Sequence, residues 1–99
     1  MDIKGFQNQI RETFFEKDSA RGIDGTFVWF VEEVGELARA IKKGGREELI
    51  EEFSDVAAWL FSLANLLDVD MESALVRYAD GCPKCGGKIC ECKGGHECS

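Results

Sequence analysis

The stretch Leu37-Ala38-Arg39-Ala40-Ile41-Lys42-Lys43-Gly44-Gly45-Arg46-Glu47-Glu48-Leu49 decides the fold of this chain. It reads as the end of one helix, a two-glycine turn and the start of another. Lys42 and Lys43 complement the negative end of a helix dipole, and Gly44 suits the C′ position just beyond it. Glu47 and Glu48 complement the positive end of the helix that follows. So short a turn makes the two helices antiparallel neighbours. Upstream, Phe27, Phe30, Val31, Val34, Ala38 and Ile41 recur at helical spacing and predict a helix from about Thr26 to Lys43. Downstream, Leu49, Phe53, Val56, Leu60, Ala64 and Leu67 predict one from about Arg46 to Leu67.

The flanks extend the pattern. Ile3, Phe6, Ile10 and Phe14 mark a first helix with Asp2 as its cap, ending before a loop at Ser19–Gly25 that carries Gly22 and Gly25. Asp70 is placed to cap a short fourth helix carrying Met71, Ala74, Leu75 and Tyr78. Sustained period-two alternation is absent, so strands are not expected. Residues 1–80 therefore read as an all-α antiparallel bundle of about four helices, and 81–99 as a separate cysteine-rich tail.

Composition narrows the function. The chain has 99 residues, 44% hydrophobic and 31% charged, which fits one small globular domain. No apolar run is long enough to span a membrane, and the opening MDIKGFQNQI lacks the apolar core of a secretory signal, so the cytoplasm is the expected compartment. A net charge of −7 argues against nucleic acid as a partner. A phosphorylated ligand would need a cation to invert the local charge. The single histidine, His96, excludes a Ser-His-Asp triad, an H-E-x-x-H zinc site and a di-iron site built on paired Glu-x-x-His motifs. Catalysis must rest on carboxylates.

Those carboxylates form a pattern. Glu33 with Glu36, and Glu52 with Asp55, are two acidic pairs each three residues apart on the two central helices. Residues at that spacing lie about 60° apart around a helix axis and can reach one ion. Trp29 lies one turn before the first pair and Trp59 one turn after the second. The fifteen residues between Glu36 and Glu52 run down one helix, through Gly44–Gly45 and back, which brings the pairs to similar heights. Four converging carboxylates repel one another, and hard oxygen-seeking cations relieve that repulsion. Gly35 inside a helix is costly and points to a close helix approach. The plainer reading is a solvated acidic face, and Glu47, Glu48 and Glu51 suit it.

Glu32-Glu33-x-x-Glu36, then Glu52-x-x-Asp55 after fifteen residues, resembles the EExxE and ExxD signature of the MazG-like nucleotide pyrophosphohydrolases. The likeness continues through Trp29–Ala38, Glu51–Val56 and Ala64–Leu75, and covers about residues 14–80. It implies an all-α, Mg²⁺-dependent enzyme that cleaves a nucleoside triphosphate to the monophosphate and pyrophosphate, in the service of nucleotide-pool house-cleaning. Carried over by position, Glu33, Glu36, Glu52 and Asp55 are implied metal ligands, and Glu32 is the leading glutamate of the motif. Family members are dimers or dimers of dimers, which agrees with the thin core that some 80 helical residues provide. Lys17, Arg21, Lys42 and Lys43 are candidate phosphate contacts against a reading as surface charge. Trp29 and Trp59 are candidate stacking partners for a base against a reading as interface packing. Asn65 could read a base edge but lies off the acidic face of its helix. Narrower relatives, a pyrimidine deoxynucleotide hydrolase or a phosphoribosyl-ATP pyrophosphohydrolase, share the motif. A non-catalytic helical module that binds metal and a partner is the alternative from another class.

The tail holds all five cysteines and the only proline. Cys82-Pro83-Lys84-Cys85-Gly86-Gly87 is a zinc-knuckle type of turn, and Cys90-Glu91-Cys92 follows it. Cys82, Cys85, Cys90 and Cys92 suffice for a closed tetrahedral Zn²⁺ site that folds a segment with no apolar core. Disulfides, an iron–sulfur cluster or an unstructured tail are the alternatives, and His96 or Cys98 could replace a ligand. Such a tail departs from the family pattern.

Overall fold

The computed structural model describes residues 1–93 and is all-helical. Helix α1 spans Ile3–Lys43, α2 spans Arg46–Leu66 and α3 spans Met71–Leu75, followed by a single 3₁₀ turn at Val76–Tyr78. His96 and Cys98 lie outside the described residues.

The expected loop at Ser19–Gly25 is not a loop. Helical structure runs through it, and the break is one residue, Gly22, with φ 87° and ψ 169°. That backbone conformation is open to glycine and closed to other residues. A straight helix of 41 residues would be about 62 Å long, yet the longest dimension of the molecule is 42 Å. Gly22 therefore acts as a joint between two helical arms, residues 3–21 and 23–43. The periodicity on either side of the joint was legible. The brevity of the joint was not, because Gly25 looks like a second breaker.

Both arms pack on α2. Phe6 meets Phe61 edge to face at 4.9 Å from the first arm, and Trp29 stacks on Trp59 at 6.2 Å from the second. The corner after α2 is tied to the first arm by Gln7. Its Nε2 donates to Asn65 Oδ1 at 3.0 Å and to Val69 O at 2.8 Å, and its Oε1 accepts from Met71 N at 2.9 Å. Asn65 is thus engaged as a structural tie to the first arm.

The caps follow the sequence with two differences. Asp2 caps α1, its Oδ1 accepting from Gly5 N at 2.7 Å. Asp70 holds the N-cap position of α3, but its carboxylate accepts from Ser73 Oγ at 2.8 Å and from no backbone amide of the helix. Gly44 ends α1 in an extended conformation, φ −84°, not the left-handed one expected of a C′ glycine. It is glycine for space: a Cβ there would sit 2.8 Å from Ala40 O. The end of α2 uses the left-handed form. Asp68 has φ 57°, Val69 N donates to Ala64 O at 2.8 Å, and Asp68 N to Asn65 O at 3.4 Å. This is the Schellman arrangement, with an aspartate where glycine is favoured. Gly35, expected at a close helix approach, faces nothing within 4 Å of an added Cβ.

The core is thin. The buried hydrophobic side chains among the described residues are Ile10, Ala40, Leu63 and Ala64. Phe27, Val31, Ile41, Ile50 and Phe53 are each more than half exposed.

Candidate active site

The tight turn at Gly44–Gly45 sets the second arm of α1 against α2, and the acidic motifs meet across that hairpin. Carboxylate oxygens of Glu33, Glu52 and Asp55 all lie within 4.8 Å of one another. Glu52 is buried, at 9% exposure, and Glu33 and Asp55 are half-buried. Burial raises the Glu33 carboxyl above its ordinary 4.5, and repulsion from Asp55, Glu36 and Glu32 adds to the rise. Burial likewise raises Glu52, with a hydrogen bond shared with Asp55 and repulsion from Glu33, Asp55 and Glu36 acting in the same direction. Three carboxyl groups forced together in this way form, once ionised, a ligand set suited to a hard cation.

Glu36 and Glu32 stand outside that group of three. Both are exposed, and Glu36 Oε1 accepts from Arg39 Nη1 at 3.4 Å. Glu36 is still close enough to repel Glu33 and Glu52. Lys42 and Lys43 are exposed at the end of α1.

A cavity of about 290 Å³ shares Asp55 with the carboxylate group. Phe14, Ala58 and Trp59 give it apolar walls, and Lys17, Asp18, Arg21 and Ser62 bring polar groups. Lys17 and Arg21, candidates from sequence, thus both line it. Arg21 is committed within the chain: its Nη1 donates to Asp18 Oδ1 at 2.9 Å and to Thr26 Oγ1 at 3.2 Å, and its guanidinium lies 4.7 Å from the Trp59 ring centroid. Gly25 makes room for this, since a Cβ there would sit 2.8 Å from Arg21 Cγ. Trp29 and Trp59 stack on each other at an interplanar angle of 20°, so the packing reading describes them within this chain. Asp18 went unnoticed in the sequence. It is 2% exposed, and its Oδ2 is buried with no hydrogen-bond partner. The available signal was an Asp-x-x-Arg pair ending at a glycine.

The cysteines converge as well. Sulfurs of Cys82, Cys85, Cys90 and Cys92 lie within 4.8 Å of one another, with Cys82 and Cys92 at 3.8 Å. Tetrahedral zinc with bonds near 2.3 Å sets its sulfurs about 3.8 Å apart. The knuckle is closed by Cys82 N donating to Gly87 O at 2.9 Å and Gly86 N to Cys82 O at 2.8 Å, with Gly81 and Gly86 at positive φ. Amides of Cys85, Glu91 and Cys92 donate to the sulfurs of Cys82, Cys85 and Cys90 at 3.4 to 3.5 Å. Such donors stabilise thiolates, and the Cys85 thiol is lowered to about 7 by the Glu91 and Gly87 amides, with Cys82 assisting. Cys82, Cys85 and Cys90 are free, whereas Cys92 is disulfide-bonded, so a four-thiolate site requires that bond to be reduced.

Among the described residues no helix is long and apolar enough to cross a membrane. The family model for the MazG nucleotide pyrophosphohydrolase domain matches residues 22–82. The match begins at the Gly22 joint, later than the resemblance at about residue 14, and ends at the first cysteine of the knuckle. Comparison with curated proteins returned no match.

Proposed function

The chain belongs to the MazG nucleotide pyrophosphohydrolase family, and from that premise we propose that it is a Mg²⁺-dependent hydrolase of nucleoside triphosphates, releasing the monophosphate and pyrophosphate. The observation that carries this reading is the convergence of Glu33, Glu52 and Asp55 from two helices. Those three residues, with Glu36 at the rim, would hold the Mg²⁺. When bound, the cation supplies charge neutralisation to the phosphate oxygens and Lewis acidity toward water. The protein's own part is to fix the carboxylates before substrate arrives and to accept the proton of the attacking water. That acceptor is a carboxylate of Glu32, Glu33, Glu36, Glu52 or Asp55, since the hairpin residues include no histidine. Trp59 and Phe14 wall the adjoining cavity on the substrate side. House-cleaning of cytoplasmic nucleotide pools is the service such a reaction performs.

A second copy of the chain completes the core. The support is the exposure of Phe27, Val31, Ile41, Ile50 and Phe53 beside so few buried hydrophobic side chains. Sedimentation is expected to give a homodimer or a dimer of dimers, and a stable monomer would count against this. In the tail, reduced Cys82, Cys85, Cys90 and Cys92 hold structural Zn²⁺. The closed donor set leaves no position for substrate.

The test is pyrophosphate release with Mg²⁺ across the common and several damaged nucleoside triphosphates. Glu36→Gln and Asp55→Asn serve as controls. Monophosphate and pyrophosphate in equal amounts, reduced at least about 100-fold in Asp55→Asn, support the reading. No product from any triphosphate in folded, metal-replete protein overturns it.

A further inference from the structure

Asp18 is the least expected side chain in the molecule. A carboxylate at 2% exposure is costly unless it is paired and hydrogen-bonded. Half of that requirement is met, since Oδ1 takes Arg21 Nη1 at 2.9 Å. The other oxygen, Oδ2, is buried without a donor. Buried acceptors in this condition are few in native structures and each calls for a reason.

The cavity supplies one. Asp18 lines it together with the aromatic walls Phe14 and Trp59, and Asp55 joins it to the carboxylate group. A ligand held at the carboxylates through a cation therefore extends into a space that Asp18 borders. Aromatic and methyl walls suit a flat heterocycle better than a sugar. Asp18 is already neutralised by Arg21, so Oδ2 asks for a neutral donor rather than a second cation. An exocyclic amino group is such a donor, whereas the carbonyl that replaces it in uracil would set acceptor against acceptor.

Resting on the hydrolase reading above, we infer that Asp18 is a specificity-determining residue whose Oδ2 accepts a hydrogen bond from the amino group of a nucleobase seated in this cavity. The chain then favours amino-bearing bases over their carbonyl counterparts. Asp18 lies in the first arm, outside the matched residues 22–82 and outside the acidic motif.

The experiment measures kcat/KM with Mg²⁺ for matched triphosphates, cytosine against uracil and adenine against hypoxanthine, in the parent and in Asp18→Asn. A hydrogen bond to a charged group predicts a preference of about 10- to 100-fold for the amino-bearing member of each pair. The preference is expected to collapse or invert in Asp18→Asn, whose amide can donate to a carbonyl. Equal values within each pair in the parent overturn the inference whatever the variant does. A preference that persists in folded Asp18→Asn overturns it too. Where Asp18→Asn does not fold, Asp18→Glu, which keeps the charge beside Arg21 but displaces the acceptor by one methylene, takes its place; a reduced preference in it supports the inference and an unchanged one overturns it. If the parent hydrolyses no triphosphate, the hydrolase reading fails on its own, and thermal-shift titration with CMP and UMP decides the role of Asp18. Stronger stabilisation by CMP, lost in the variant, supports it, and equal shifts overturn it.

Discussion

The acidic hairpin and the cysteine knuckle each gather three or four ligand-type side chains within 4.8 Å, by opposite means. Glu33 and Glu52 come from two consecutive helices, and their meeting depends on the Gly44–Gly45 turn and on packing such as the Trp29–Trp59 stack. Their environment opposes their charge, since burial and mutual repulsion raise both carboxyls. The four cysteines lie within eleven consecutive residues, and the turn itself aims amides at their sulfurs. There the environment is divided: amides lower Cys85 to about 7, whereas Cys90 is raised, the amide of Cys92 being outweighed by burial and by the neighbouring Cys82 and Cys85. The fold imposes the first cluster and stores repulsion in it. The second cluster has no apolar core to lean on and is held by the hydrogen bonds of its own turn.

Perturbations of the two regions should therefore separate. The largest effect is expected in the knuckle. In reduced protein, Cys85→Ser should weaken zinc binding on the order of a thousandfold, read by competition with a chromogenic chelator, while the helical circular dichroism is unchanged. Loss of helix together with zinc would join the two regions and break the contrast. Next, Glu52→Gln should lower pyrophosphate release at least about 100-fold while raising the melting temperature in metal-free buffer, because it removes one of the repelling charges. A variant that lost both activity and stability would mean that Glu52 supports the fold.

The third effect is one of pH. A carboxyl whose folded pKa lies above its unfolded value destabilises the folded state once it is ionised in both states. That penalty fades as pH falls through the folded value. The stability advantage of Glu33→Gln/Glu52→Gln over the parent, without metal, should be greatest near neutral pH. It should vanish below the ordinary carboxyl value of 4.5. Added Mg²⁺ should stabilise the parent and not the double variant. The smallest effect lies at the end of α2, where Asp68 holds φ 57°. Asp68→Gly should raise stability by about 0.5–1 kcal/mol in urea titration and leave both clusters untouched.

The pairing of the two helices in the hairpin was legible in the sequence, because helical periodicity and a two-glycine turn are local signals. The meeting of Glu33, Glu52 and Asp55 followed from counting residues along that hairpin. The cysteine group was legible for the same reason, its spacing being almost the whole of its geometry. What escaped was set by side-chain direction. Gly25 looked like a breaker and is instead the gap through which Arg21 folds back toward Asp18 and Trp59. Gly35 looked like a contact and faces nothing within the chain. Glu36 stands at the rim beside Arg39, an orientation that its spacing alone does not give. Asp18 has an ordinary sequence context, and only three-dimensional burial marks it.

The stack of Trp29 on Trp59 also gives the protein an optical property. These are the only two indoles in the chain, 6.2 Å apart and nearly parallel, with the Arg21 cation beside one of them. Chromophores that close share their excited states, so near-ultraviolet dichroism and emission report a single coupled pair rather than two residues averaged together. Trp59 forms a wall of the cavity. An occupant that touches Trp59 is expected to change the emission, which would let its arrival be timed without a label.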